Sequence, residues 1–291
     1  MSGGGRHLAT AIGCGALAIW ASLALLTTMV AAVPPFQLTA MTFAIAALLA
    51  AAKWILRRED PRPLLRMPAG AWLVGIGGLF LYHALYFAAF TRAPPVAVNL
   101  ITYLWPLLIV IGAGLMPGER IAPRHLVGAV AGLLGVAVLT GAGLSFEARY
   151  LPGYALAFGC AVMWALYSVL SRRYADVPSD AVAAFCAGTA LLAALAHLLL
   201  EQSVVPDARG WLAVALLGLG PVGAAFYLWD HGVKRGDLRL LGTLSYLTPL
   251  ASTAVLVLAG RAEASWRLAV ACVLVVGGAA IAAQVTTPRA S

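Results

Sequence analysis

Long apolar blocks and short polar breaks alternate along this chain. Leu8 to Ala52 contains no Asp, Glu, Lys, Arg or His. One helix of that length would far outrun a bilayer core ~30 Å thick, since a helix rises ~1.5 Å per residue. Pro34-Pro35 divides the run into two spans, 8–30 and 35–56. Further blocks cover 68–91, 94–116, 124–143, 150–171, 180–200, 210–232, 238–259 and 266–286, ten in all. The breaks between them carry turn residues and charges: Arg57-Arg58-Glu59-Asp60-Pro61, Ala93-Pro94-Pro95, Pro117-Gly118-Glu119-Arg120 and Lys234-Arg235-Gly236-Asp237. Strands can span lipid only in a closed barrel, and these runs lack the alternation a barrel needs. The pattern predicts an all-α integral membrane protein with ten transmembrane helices.

Composition supports this reading. Hydrophobic residues make up 62% of the chain and charged ones 10%, where a soluble domain is about a quarter charged. Mean hydropathy is +0.92. These values argue against a soluble enzyme, a nucleic-acid binder and a disordered chain. The net charge of +8 comes from basic residues scattered between apolar blocks, with no single stripe for nucleic acid. Read as topology signals, they place the N-terminus in the cytoplasm. Inside segments then carry Arg6, the group Lys53, Arg57, Arg58, Arg62 and Arg66, then Arg120, Arg124, Arg172, Arg173, Lys234, Arg235, Arg239 and Arg289. Outside loops carry only Arg92, Arg149, Arg209, Arg261 and Arg267. Both termini are expected inside. Cys14, Cys160, Cys186 and Cys272 each sit in an apolar block and form no CxxC pair, so they read as small buried hydrophobes. The first span follows Arg6 as a signal peptide would, but its apolar stretch is long for one, and it is expected to be retained.

The chain repeats itself. Shifted by 143 residues, Tyr103-Leu104-Trp105-Pro106-Leu107 falls on Tyr246-Leu247-Thr248-Pro249-Leu250, Arg92 on Arg235, Arg124 on Arg267, Gly135 on Gly278 and Pro35 on Pro178. A shift of 144 aligns Gly15, Trp20 and Ala21 with Gly159, Trp164 and Ala165. Two units follow, 1–145 and 146–291, each with five spans. An odd span count turns the second unit upside down relative to the first. Inverted repeats recur in secondary transporters, because two similar halves can exchange conformations at similar energy.

These residues resemble the drug/metabolite transporter superfamily, with two tandem EamA-type domains of five helices. The matching features are Trp20 and Trp164, the Tyr-Leu-x-Pro-Leu cores of spans four and nine, and Gly118-Glu119 at the close of span four. Two features depart from the family. Thr42 stands before Phe43 where many members have Arg, and the second Gly-Glu reads Gly260-Arg261-Ala262-Glu263. Within the superfamily the chain is most similar to bacterial aromatic amino-acid exporters. That likeness implies export of Phe, Tyr or Trp, with other neutral amino acids, across the bacterial inner membrane. The alternative is a broader exporter of small amphipathic or cationic compounds.

Polar and aromatic groups within the spans are the candidate site, since lipid gives them no reason to be there. Tyr82, His83 and Tyr86 share a helical face, as do Asn99 and Tyr103. Trp20 is near the midplane, and the second half supplies Trp164, Tyr167, Tyr227, Ser245 and Tyr246. Trp20, Tyr82, His83, Tyr86, Asn99, Tyr103, Trp164, Tyr167 and Tyr246 are the expected substrate-binding set. Trp54, Trp72, Trp211 and Trp266 lie near span ends and read as interfacial belts. His83 is either a substrate anchor that can titrate or a neutral group bonded to a neighbouring helix. His197 reads as structural; Asp230 with His231 reads as a solvated cluster beside Lys234 and Arg235, the alternative being a gate salt bridge or a proton site. Pro106 and Pro249, inside spans four and nine, are candidate hinges.

An aromatic cavity without a buried strong charge suits a small zwitterion or an amine, whereas a phosphorylated solute would need buried Lys or Arg. There is no GxxxxGK[ST] loop for ATP, no HExxH, no clustered carboxylates for an intramembrane enzyme and no polar ring for a channel. No cofactor or metal is expected. The expected partners are an amino acid and the bilayer, and the expected state is monomeric.

Overall fold

The computed structural model describes residues 3–116, 121–141, 147–261, 263 and 265–283. Gly118-Glu119, Arg120, Ala262 and Arg289 lie outside the described residues. Among the described residues every regular element is helical. Nine helices are long and apolar enough to cross a membrane: Gly4–Thr28, Pro35–Arg57, Ala69–Phe90, Pro95–Gly114, Ala148–Tyr174, Ala181–Leu200, Ala208–Arg235, Leu238–Leu258 and Trp266–Ala283. Pro123–Leu139 is a further apolar helix of 17 residues, and it occupies the fifth place in the order. We number these ten spans 1 to 10 along the chain.

Their packing follows a half-exchange pattern. Span 1 packs on span 8 and span 6 on span 3, while spans 2 and 7, 4 and 9, and 5 and 10 pair with each other. Each pairing maps onto itself or onto another when five is added to the span number. Small residues permit close approach, the main device for helix association in lipid. Gly128 of span 5 and Gly278 of span 10 meet so tightly that a Cβ on either would lie within 3 Å of the other's carbonyl oxygen.

Several spans are interrupted. Span 1 breaks at Ala21-Ser22, where Ser22 Oγ donates to the Ile19 carbonyl; the uninterrupted helix expected over 8–30 is therefore two pieces. Span 6, its repeat counterpart, has no such break, and Leu151–Ser171 is one α-helix. Spans 4 and 9 break at matching places, Tyr103-Leu104 and Ser245-Tyr246. Pro106 is in the first turn of the half-helix Trp105–Gly114, and Pro249 in the first turn of Leu247–Leu258. A first turn has no intrahelical acceptor for its N–H groups, so these prolines start half-helices and do not kink continuous ones. Spans 3 and 8 each contain one π-helical stretch, Leu73–Gly77 and Gly220–Ala224. Such bulges in α-helices often mark functional sites.

Polar groups hold the span ends. On the face that carries Arg6, Lys53–Arg66 and Lys234–Arg239, here the basic face, Lys53 Nζ lies 2.7 Å from Asp180 of the span 7 N-terminus. On the opposite face the Glu201 carboxylate accepts from the Phe36 and Gln37 N–H groups at 2.9 and 3.0 Å, capping span 2. Spans 2 and 7 are thus tied at both ends. His197 lies between Glu201 and Ser203 at 2.9 and 2.8 Å, within this junction.

Asp237 caps span 9 through the Leu240 N–H and pairs with Arg6 at 3.1 Å. Burial raises its carboxyl, but the Leu240 N–H and the charges of Arg6, Arg239 and His125 outweigh that and hold it below the usual carboxylate range. A depressed carboxyl contributes stability that is present above the unfolded value of about 4 and lost as pH falls through the folded value. Asp237→Asn is therefore expected to be less stable at neutral pH and to lose less on acidification than the wild type. Thermal melts in detergent between pH 7 and pH 3 would check this.

Candidate functional site

Spans 1, 2, 3, 4, 6 and 8 meet around an aromatic stack. Trp20 and Trp164 stand edge to face with ring centres 5.6 Å apart. Tyr82 approaches Trp164 at 5.1 Å, and Tyr167 meets it from its own helix at 5.3 Å. His83 packs against Phe43 and Tyr82 at 5.1 and 5.2 Å. Tyr86 stacks on Tyr82 at 6.0 Å and donates to Asn99 Oδ1 at 3.2 Å. The expected residues of span 3 thus do share a face, and Asn99 of span 4 joins them.

The stack includes four rings that sequence reasoning left out: Phe43, Trp105, Phe226 and Trp229. Trp229 contacts Trp20, Trp105 and Trp164 at 5.3, 5.9 and 6.2 Å. Its register shows only in the structure, through the π stretches. They begin at Leu73 and Gly220, a shift of 147 residues. In that register Trp229 is the counterpart of Tyr82, and Asp230 the counterpart of His83. Tyr246 is placed elsewhere: it is fully buried against Gly132 of span 5, in a separate cluster of spans 4, 5, 9 and 10 that Tyr103 also borders.

Burial grades across the stack. Trp20, Trp105, Trp164, Tyr167, Phe226 and Trp229 are buried, while Tyr82, His83, Tyr86, Asn99 and Tyr103 are half-buried. The half-buried set lies away from the basic face, so the stack forms a sealed floor toward that face and a wall with uncovered surface on the other side. No Lys, Arg, Asp or Glu belongs to this wall. His83 Nδ1 bonds the Leu79 carbonyl at 2.8 Å on its own helix, and no neighbouring helix supplies that partner.

The two central tryptophans differ in one respect. Trp20 Nε1 donates to the Pro221 carbonyl in the π stretch of span 8 at 2.9 Å. Trp164 Nε1 is buried without a partner among the described residues. A buried donor left open costs about 1–3 kcal/mol, so this group is set to accept a new partner.

One expectation is overturned. Asp230 is not part of a solvated cluster: it is 0% exposed, and Lys234 is 7% exposed. The Lys234 ammonium is 2.9 Å from the Asp230 carboxylate and also donates to the Val177 carbonyl at 3.0 Å. The turn after span 6 folds over this part of span 8, which the charged run Lys234-Arg235 had disguised. His231 is only half-buried and lies 3.3 Å from Arg235. Among the described residues no group of His, Cys, Asp and Glu could hold a metal ion.

Known proteins resemble this chain in sequence and fold. The chain is 53% identical over 280 residues to the aromatic amino acid exporter YddG of Ancylobacter novellus, covering 95% of this chain and 97% of that one. It is 26% identical over 261 residues to the protein of that name from Salmonella typhimurium, covering 85% and 87% of the two chains. A crystal structure at 53% identity superposes with a TM-score of 0.92, covering 96% of this chain and 98% of the other. A profile of the EamA-like transporter family matches twice, at residues 8–141 and 151–284. With two such matches spanning nearly its whole length, the chain belongs to the EamA-like transporter family.

Proposed function

We propose that the protein exports aromatic amino acids, Phe, Tyr and Trp, together with other neutral amino acids, from the cytoplasm by alternating access. One observation carries this reading: both repeats contribute to a single aromatic stack whose wall holds no strong charge and whose central Trp164 N–H is open. Aromatic side chains stack on such walls, and the open indole donor suits a carboxylate. The relatives from Ancylobacter novellus and Salmonella typhimurium are aromatic amino acid exporters, which points the same way.

In this reading Trp20, Tyr82, His83, Tyr86, Asn99, Tyr103, Trp164 and Tyr167 contact the solute. Tyr246 supports them from the neighbouring cluster. The breaks before Pro106 and Pro249 are the hinges, since a chain interruption takes up a change in backbone angle more easily than an intact helix does. The basic face is cytoplasmic by the charge excess, both termini lie there, and the membrane is the bacterial inner membrane. Units 1–145 and 146–291 are the two inverted halves. One chain supplies both, so a monomer is the transport unit.

Counterflow in proteoliposomes tests the proposal. With unlabelled phenylalanine, threonine or methionine inside, external labelled tryptophan is expected to accumulate transiently. No accumulation with any amino acid would defeat the proposal, and displacement of tryptophan by a cationic dye would move it to the broader exporter.

A further inference from the structure

We propose that Asp230 is a proton-binding site and that the protein exchanges a proton for the amino acid it carries. This rests on the exporter reading above. Asp230 and His83 are the sixth residues of the α-helical segments Ala225–Arg235 and Gly78–Phe90, each of which directly follows a π stretch. They are the ionisable groups at counterpart positions of spans 3 and 8. His83 borders the uncovered wall, and Asp230 lies beneath the sealed floor. In an inverted repeat, alternating access exchanges the surroundings of such counterparts.

The surroundings of Asp230 are those of a site. The carboxylate is met by Lys234 Nζ at 2.9 Å and by the Ser179 side chain, but neither approach is well aligned as a hydrogen bond, so both oxygens have room for a further partner. A cavity of about 10 Å³ lies beside it, lined also by Lys234, Ser171, Tyr174 and Val177. That is about the room one water needs, and the lining offers it polar partners. Its chain neighbour Trp229 and the Tyr167 ring both pack on Trp164 of the stack, and the Tyr167 hydroxyl, which feels the Asp230 charge, is buried with no partner among the described residues.

The charged and titratable groups around Asp230 are few. Its own helix brings Lys234, His231 and Tyr227. Span 6 brings Tyr167, and the turn that follows brings Arg172, Arg173, Tyr174, Ser179 and Asp180. Span 7 brings Cys186, near Tyr167. Span 3 faces the cavity with Ala71, Val74 and Gly75, span 1 meets span 8 through Gly13 and Gly15, and span 9 brings Leu241. Lys234 is the buried cation that a proton on Asp230 would unmatch.

The cycle balances without another reactant. With Asp230 ionised, Lys234 is matched and ties span 8 to the Val177 carbonyl, holding the basic end closed. A proton from the side of the uncovered wall, passed by the Tyr167 hydroxyl, neutralises the carboxyl. Lys234 becomes an uncompensated buried charge, and the basic end opens. Asp230 then returns its proton to water on that side. The ion pair re-forms around the loaded protein, and the amino acid leaves on the opposite face. One proton has moved inward and one amino acid outward.

Proteoliposomes decide this. An acid interior is expected to drive labelled phenylalanine above its equal-pH level, and nigericin in potassium buffer to abolish the excess. Asp230→Asn is expected to lower equal-pH counterflow, because Lys234 is left unmatched, and to lose the gradient-driven excess; Asp230→Glu is expected to regain both. Wild-type counterflow without gradient drive overturns the proton proposal alone, whereas absence of any wild-type counterflow overturns the exporter reading with it. Gradient drive retained in Asp230→Asn also overturns the proposal. Where Asp230→Asn loses counterflow altogether, the charge-balanced double variant with Lys234→Gln decides: counterflow without gradient drive supports the site, and loss of both makes the pair structural and overturns it.

Discussion

Trp164→Ala is expected to lower counterflow at least tenfold and to destabilise the protein by about 3–5 kcal/mol, the usual cost of deleting a large buried aromatic. The Trp164 ring touches Trp20, Tyr82, Trp105, Tyr167, Phe226 and Trp229, all within 6.2 Å. At 4% exposed, it has almost no surface from which lipid or water could fill the gap. Each aromatic pair contributes about 0.5–1.5 kcal/mol beyond its buried area, so alanine disconnects both halves of the stack at once. Trp164→Phe separates the two roles of the residue. It keeps a ring at the site but removes the open indole donor together with part of the ring volume, so stability is expected to recover in part while counterflow stays several-fold below wild type. Counterflow rates at matched protein-to-lipid ratio, alongside thermal melts, give both readings. A Trp164→Ala protein that exchanges at half the wild-type rate or more would remove the stack from the transport path.

The second large effect is expected at Gly232. A Cβ built there would be 2.6 Å from the Gly13 Cα, a backbone atom that cannot swing aside. Spans 1 and 8 cross at this point, and span 8 carries Trp229 and Asp230 three and two residues earlier. Gly232→Val is expected to force the two helices apart, costing at least the roughly 1–3 kcal/mol typical of overpacking. Gly277→Val is the control, because nothing lies within 4 Å of a Cβ there. That change is expected to stay within about 0.5 kcal/mol of wild type. Size-exclusion profiles and melts of the two variants would separate crowding at this crossing from a general intolerance of glycine replacement.

The spans were legible because lipid leaves the backbone no alternative: apolar runs of sufficient length must satisfy their own hydrogen bonds. The Tyr-Leu-x-Pro-Leu cores located the interruptions of spans 4 and 9, although each proline starts a half-helix and does not bend a whole one. The break after Trp20 had no such sign, since Ala21 and Ser22 are ordinary helix residues and Trp164-Ala165 continues unbroken. In the candidate site, the face shared by Tyr82, His83 and Tyr86 follows from helical spacing alone. Trp229 and Asp230 were obscured by register. A shift of 143 or 144 residues pairs neither with Tyr82 or His83; the π stretches move spans 3 and 8 to 147. The burial of Asp230 depends on how the turn at Val177 folds over span 8, a contact between segments some fifty residues apart that no local pattern encodes.

The ties at both ends of spans 2 and 7 also constrain how the protein can move. Glu201 grips one end of that pair and Lys53 with Asp180 the other, so the two helices form an axle that resists both sliding and splaying. The remaining spans must rock about it. Spin labels placed across this pair would keep one fixed separation through the whole cycle, while labels on any helix that rocks against it would report two.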